Sequence, residues 1–176
     1  MIKFYTDGGC SGNPGPGSFG VAALNEEETI LLYNVSSEKT EMTTNNREEL
    51  KALIHALKWT QSFLFKDEQC IIYTDSAYCA NMFNDWIHTW ARNGWKNSKK
   101  QTVENLDLVQ QLYEYAKMEF PNFEIERVRG HVGIAGNELA DALATHNTDK
   151  FVKVLQKYNI KTREEANIWF LQKNMI

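Results

Sequence analysis

The sequence predicts an α/β domain built around a mixed β-sheet, and three observations carry that expectation. Its apolar patterns follow the order β-β-β-α-β-α-β-α, so three strands can pair as antiparallel neighbours and two helical crossovers can add parallel ones. Two stretches far apart, "IKFYTDGG" at residues 2–9 and "CIIYTDSA" at 70–77, are β-type runs ending on the same Tyr-Thr-Asp tripeptide. A chain of 176 residues with 43% hydrophobic content also supplies one well-cored domain and not two.

Taken in order, residues 2–7 form the first strand, and "GGCSGNPGPGSFG" is a glycine- and proline-rich turn. "FGVAAL" and "ILLYNVS" are two further strands joined by the acidic turn Asn25–Glu28. From Asn45 to Phe65 the period becomes helical. Residues 70–74 are a short buried strand, and helical segments follow through Trp90. After the polar, basic loop "ARNGWKNSKKQT", Val103 to Phe120 is helical again, and Pro121 stops it. "FEIERV" alternates as a strand, "RGHVGIAG" is a glycine-rich loop, and Ala135 to His146 is a helix. Beyond Thr148, "FVKVLQKY" and "REEANIWFLQK" are two amphipathic helical patterns, expected to pack onto the domain.

The gross properties exclude several classes. The net charge of −4 means that a nucleic-acid partner must be held by a local basic patch or through metal ions. Three cysteines, Cys10, Cys70 and Cys79, with no C-x-x-C pair argue against a disulfide framework or a zinc site and fit a reducing cytoplasm. The chain opens on a strand pattern, without the charged and apolar regions of a signal peptide, and holds no apolar run of membrane-spanning length.

The repeated tripeptide carries chemistry if the first and fourth strands are parallel neighbours. Asp7 and Asp75 then lie side by side at the sheet end where ligand sites form. Two close carboxylates repel unless a proton or a cation sits between them, and an all-oxygen donor set favours magnesium, manganese or calcium. For either Asp alone, a turn or helix-cap role is the competing reading. In "TTNNREELKALIHALKW", Glu48, Lys51, His55 and Lys58 fall on one polar face expected to be solvated. Glu49 instead aligns with Leu53 and Leu57 on the sheet-facing side, an expensive place for a carboxylate. Dipole stabilisation or a pair with Arg47 could explain it, but it is the best single candidate for a third metal ligand. Asp141, on the face of Glu138 and Thr145, reads by periodicity as a solvated helix acid. His131, among Gly130, Gly133 and Gly136, reads as an exposed loop residue or as one able to move protons.

"TDGGCSGNPGPGSFG", "TTNNREEL", "IIYTDSAY" and "RGHVGIAGNELADALA" together resemble, in order, the four signature stretches of the cellular, bacterial-type ribonuclease H family, and "WIHTWARNGWKNSKK" resembles its helix and loop between the third and fourth. The resemblance covers residues 2–147, taken as a catalytic domain over 1–147 with a helical extension over 148–176. It implies a five-stranded mixed sheet of order 3-2-1-4-5 flanked by helices. It also implies that Asp7, Glu49, Asp75 and Asp141 are the catalytic, metal-binding carboxylates and His131 the histidine aiding proton transfer or product release. Two magnesium ions, replaceable by manganese, would drive hydrolysis of the RNA strand of an RNA–DNA hybrid, leaving 5′-phosphate and 3′-hydroxyl ends. By resemblance, the backbone of Gly8, Gly9 and Cys10 and the side chains of Glu49 and Asn45 line the minor groove, Asn13 and Thr44 grip a DNA phosphate, and Trp86, Arg92 and Lys96 belong to a substrate-binding protrusion. Trp90 is expected to be buried. Ala77 departs from the amide side chain often found there, and the basic loop is sparse, which predicts weaker, salt-sensitive binding. A cytoplasmic monomer is expected. The alternatives are an idle hybrid-binding module, or a DNA nuclease or polynucleotidyl transferase on the same architecture.

Overall fold

Alternation along the central strands decides which residues meet which layer. In the computed structural model, which describes residues 1–35, 39–129 and 133–163, β1 (Ile2–Cys10) sits at the middle of the sheet. It pairs antiparallel with β2 (Gly15–Leu24), which pairs with β3 (Thr29–Val35), and parallel with β5 (Cys70–Thr74), which pairs with β6 (Phe123–Arg127). The central order β3-β2-β1-β5-β6 is the expected one. Two short strands extend it beyond the five expected: β4 (Thr40–Thr43) pairs with β2, and β7 (Lys161–Thr162) pairs with β3. The glycine-rich turn is shorter than its composition suggests, because β1 runs on to Cys10 and β2 begins at Gly15.

Both faces of this sheet are covered, as the period-2 pattern requires. Ile2, Phe4, Val21, Ala23, Ile72 and Ile125 face one core, and Tyr5, Ala22 and Leu24 face the other. The first core is closed by α1 (Asn45–Thr60), α2 (Ala77–Asn81) and α4 (Leu106–Ala116), through Leu50, Leu53, Leu57, Cys79 and Leu112. A π-turn over Met82–Trp86 joins α2 to α3 (Ile87–Arg92). The second core is closed by α5 (Ala135–Ala144) and α6 (Thr148–Lys157), through Leu139, Leu143, Phe151 and Val154. The second expected tail helix lies outside the described residues.

Three local expectations are corrected. The helix expected to reach Phe65 ends at Thr60, where Gln61 caps it. Glu48 is not a solvated charge but fully buried, paired with Lys51 at 2.7 Å. The face it shares with His55 lies under the sheet's antiparallel arm: Lys51 Nζ reaches Thr40 Oγ1, and the His55 ring packs against Phe19. Arg47 does not pair with Glu49; its guanidinium donates to both Asp107 oxygens, at 2.9 and 2.7 Å. Among the described residues no helix is long and apolar enough to cross a membrane.

Candidate active site

The parallel register of β1 and β5 pairs Thr6 with Thr74, so Asp7 and Asp75 leave the two strands at the same end. Two glycines then let helices close on that end. Gly8 abuts the first turn of α1, where a Cβ would lie 2.5 Å from the Glu49 nitrogen. Gly20, the cross-strand partner of Asp7, abuts α5, where a Cβ would lie 2.5 Å from the Ala140 oxygen. The first contact delivers Glu49, and the second delivers Asp141, the residue after Ala140.

Ligand atoms of Asp7, Glu49 and Asp75 lie within 4.8 Å of one another. Asp141 joins Asp7 in lining a cleft of about 300 Å³ that also includes Gly8, Gly9, Cys10 and Asn45. Crowding of like charges away from water has the expected electrostatic effect. Burial, with the charges of Asp75 and Asp141 behind it, pushes the Asp7 carboxyl up to about 7. Burial, then Asp7 and Asp75, holds Glu49 well above the usual carboxylate range. The Gly8 amide donates to Asp7 Oδ1 at 2.9 Å and offsets part of the penalty. Glu49 Oε2 is buried with no hydrogen-bond partner among the described residues. These groups fit a hard divalent cation, which would satisfy the orphaned oxygen and relieve the repulsion together.

A family model described as RNase H matches residues 1–149. The chain belongs to the RNase H family. The curated ribonuclease H of Symbiobacterium thermophilum is 44% identical over 150 residues, covering 81% of this chain and 91% of that protein. The ribonuclease H of Orientia tsutsugamushi is 40% identical over 165 residues, covering 93% and 90%. Among solved structures, LC11-RNase H1 in complex with RNA/DNA hybrid matches with a TM-score of 0.59 at 27% identity, covering 86% of this chain and 99% of that one. This chain is thus an enzyme of the ribonuclease H type, on an α/β fold shared with that family.

Within this RNase H, the other expected site residues fall into two groups beside the cleft. Asn13, Thr44 and Asn45 line one hollow with Asn46, Glu104 and Asn105. They also hold each other in place: the Asn45 amide donates to Asn13 Oδ1 at 3.0 Å, and the Cys10 amide donates to Asn45 Oδ1 at 2.9 Å. Thr44 caps α1 by accepting from the Arg47 amide. Trp86 and Lys96 line a second hollow with Asp85, Thr89, Trp90 and Asn93. Arg92 is exposed at the end of α3 and is not part of that lining. Trp86 is 37% exposed, whereas Trp90 is half-buried against the first core, less deeply than expected. His131 lies outside the described residues.

Asp141 is not the solvated acid of the periodic reading. It is half-buried and ion-paired with Lys150 of α6. Sequence reasoning missed Lys150, and also Lys39, which lines the cleft beside Asp7 and Asp141. No local signal points to either, because each meets the site only through tertiary packing.

Proposed function

We propose that this enzyme hydrolyses the RNA strand of RNA–DNA hybrids at the cleft built by Asp7, Glu49, Asp75 and Asp141. The observation that carries the reading is the convergence of Asp7, Glu49 and Asp75, with ligand atoms within 4.8 Å, in a chain of the RNase H family. The hybrid-bound state of the LC11-RNase H1 neighbour supports the substrate class.

Asp7, Glu49 and Asp75 would hold one divalent ion between them, and Asp7 with Asp141 would complete the site for a second. Bound there, two magnesium or manganese ions supply an activated water and stabilise the leaving 3′-oxygen, giving 5′-phosphate and 3′-hydroxyl ends. The chain's own residues do the rest. The Gly8 amide fixes one Asp7 oxygen, so that carboxylate faces the cleft in one orientation. The Asn13–Asn45–Cys10 hydrogen-bond chain fixes the backbone along Gly8–Cys10, where the minor groove and its 2′-hydroxyls would lie. Thr44 and Asn13 would meet a phosphate of the DNA strand, and Trp86, Arg92 and Lys96 the backbone further along. His131 would serve proton transfer or product release. Residues 1–147 would form the catalytic domain and 148–176 its extension.

The test is cleavage of an end-labelled RNA strand annealed to DNA in magnesium, beside duplex RNA, duplex DNA and the Asp75→Asn variant. The expected outcome is cutting of the hybrid alone, abolished by EDTA and by the substitution. Hybrid binding without product would overturn the catalytic reading in favour of a binding module.

A further inference from the structure

Three lysines approach acidic groups near the cleft, and one of them is built into place. Lys150 occupies the first turn of α6, where its amide donates at 2.9 Å to Oδ1 of Asn147, the residue that caps the helix. One residue on, Phe151 is buried in the second core beside Tyr33, their ring centroids 5.2 Å apart; Val154 is buried a turn later. A second ion pair, Lys157 to Glu138 at 3.3 Å, ties the other end of α6 to α5. Cap and apolar seat together fix the helix, so the Lys150 ammonium arrives at Asp141 Oδ2 as a consequence of packing. Both partners keep partial access to solvent, with side chains 40% and 33% exposed. Lys39 also lines the cleft, and Lys157 pairs outside it.

We propose that Lys150 is an intramolecular counter-cation for Asp141, one that a divalent ion must displace before Asp141 Oδ2 can join Asp7 in holding it. This rests on the carboxylate cluster being a metal site. An ammonium in contact with a carboxylate and a divalent ion at the same oxygen are mutually exclusive, so Lys150 competes at Asp141 and leaves the Glu49–Asp75 side untouched. The competition is local to this chain's extension: Lys150 lies just past residues 1–149 matched by the family model. Its effect is to make occupancy of the Asp7–Asp141 side more dependent on ion concentration than that of the deeper side, and to hand Asp141 a partner when the ion leaves.

The test is calorimetric titration of manganese into the free full-length enzyme, with no nucleic acid present, for the unaltered chain, Lys150→Met, Lys150→Arg and Lys157→Met. A partly exposed ion pair sets the scale: Lys150→Met should bind manganese about two- to fivefold more tightly. Lys150→Arg, which keeps a cation there, should remain near the unaltered protein. Lys157→Met, which removes only the outer pair, should leave ion affinity unchanged and reports any general loosening of α6. Manganese affinity equal in Lys150→Met and the unaltered chain, or weaker in the variant, overturns the inference while the metal site stands. No manganese binding in any of the four overturns the metal reading and the inference with it.

Discussion

Gly8 and Glu49 are in backbone contact: a Cβ on Gly8 would sit 2.5 Å from the Glu49 nitrogen, a separation that packed carbon atoms do not reach. The neighbour is main chain, so no side chain can swing aside. Gly8→Ala must therefore move the first turn of α1 away from β1 and take Glu49 out of reach of Asp7. The expected loss is about 1–3 kcal/mol of stability, typical of overpacking, together with most of the hydrolytic activity. Denaturant midpoints and hybrid cleavage rates on the same preparation check both.

Asp7 makes stability pH-dependent in a definite direction. Its carboxyl is pushed from the ordinary 3.8 up to about 7, so the fold disfavours the charged form. The associated stability is present below the unfolded-state value and is lost as pH rises through about 7. Asp7→Asn cannot ionise. In EDTA it should melt close to the unaltered enzyme near pH 4 and several degrees above it at pH 8, while losing activity. Magnesium should narrow the pH 8 gap by stabilising only the unaltered cluster. Thermal melts at the two pH values, with and without the ion, read all of this.

Much of the site was legible because it is written in strand and helix periodicity. The echoed Tyr-Thr-Asp gave matching strand ends, and the Thr6–Thr74 register puts Asp7 and Asp75 together as that pattern requires. Glu49 was legible from its alignment with Leu53 and Leu57, both fully buried. Periodicity says which residues share a face, however, and not what covers it. Glu48 and His55 share a polar face that the antiparallel arm covers, with Asn34 Nδ2 2.7 Å from His55 Nε2. The periodicity of Asp141 misleads for the same reason, since its partner Lys150 lies nine residues further on, in another helix. The short strands β4 and β7 escaped notice because four- and two-residue runs carry too little alternation to read.

The buried pair of Glu48 and Lys51 should show a strong asymmetry between breaking it and replacing it. The Glu48 side chain is 1% exposed, and Lys51 is its charged partner at 2.7 Å. Lys51→Met leaves an uncompensated carboxylate under the sheet and should cost about 3–5 kcal/mol. Replacing both residues by Met removes the charge with its partner and should recover most of that loss. Urea denaturation of the single and double variants gives the comparison. A double variant as unstable as the single one would show that the packing of Lys51, and not its charge, is what matters.

Trp86 and Trp90 lie side by side, ring centroids 5.8 Å apart, yet they should separate binding from stability. Trp90 packs on the first core, and its carbonyl accepts from the Trp95 amide at 2.7 Å where the chain turns out of α3. Removing that ring opens a gap in packed material, so Trp90→Ala should cost roughly 2–3 kcal/mol of folding stability. Trp86 is 37% exposed beside the hollow shared with Lys96, and its outer face has little protein to lose. Trp86→Ala should leave the melting temperature nearly unchanged and weaken hybrid binding by about 1 kcal/mol, roughly fivefold in Kd. Fluorescence anisotropy with a labelled hybrid, in EDTA to prevent turnover, measures the second quantity against the first. If Trp86→Ala binds as tightly as the unaltered enzyme, the hybrid does not run over this hollow, and the contacts assigned to Lys96 move with it.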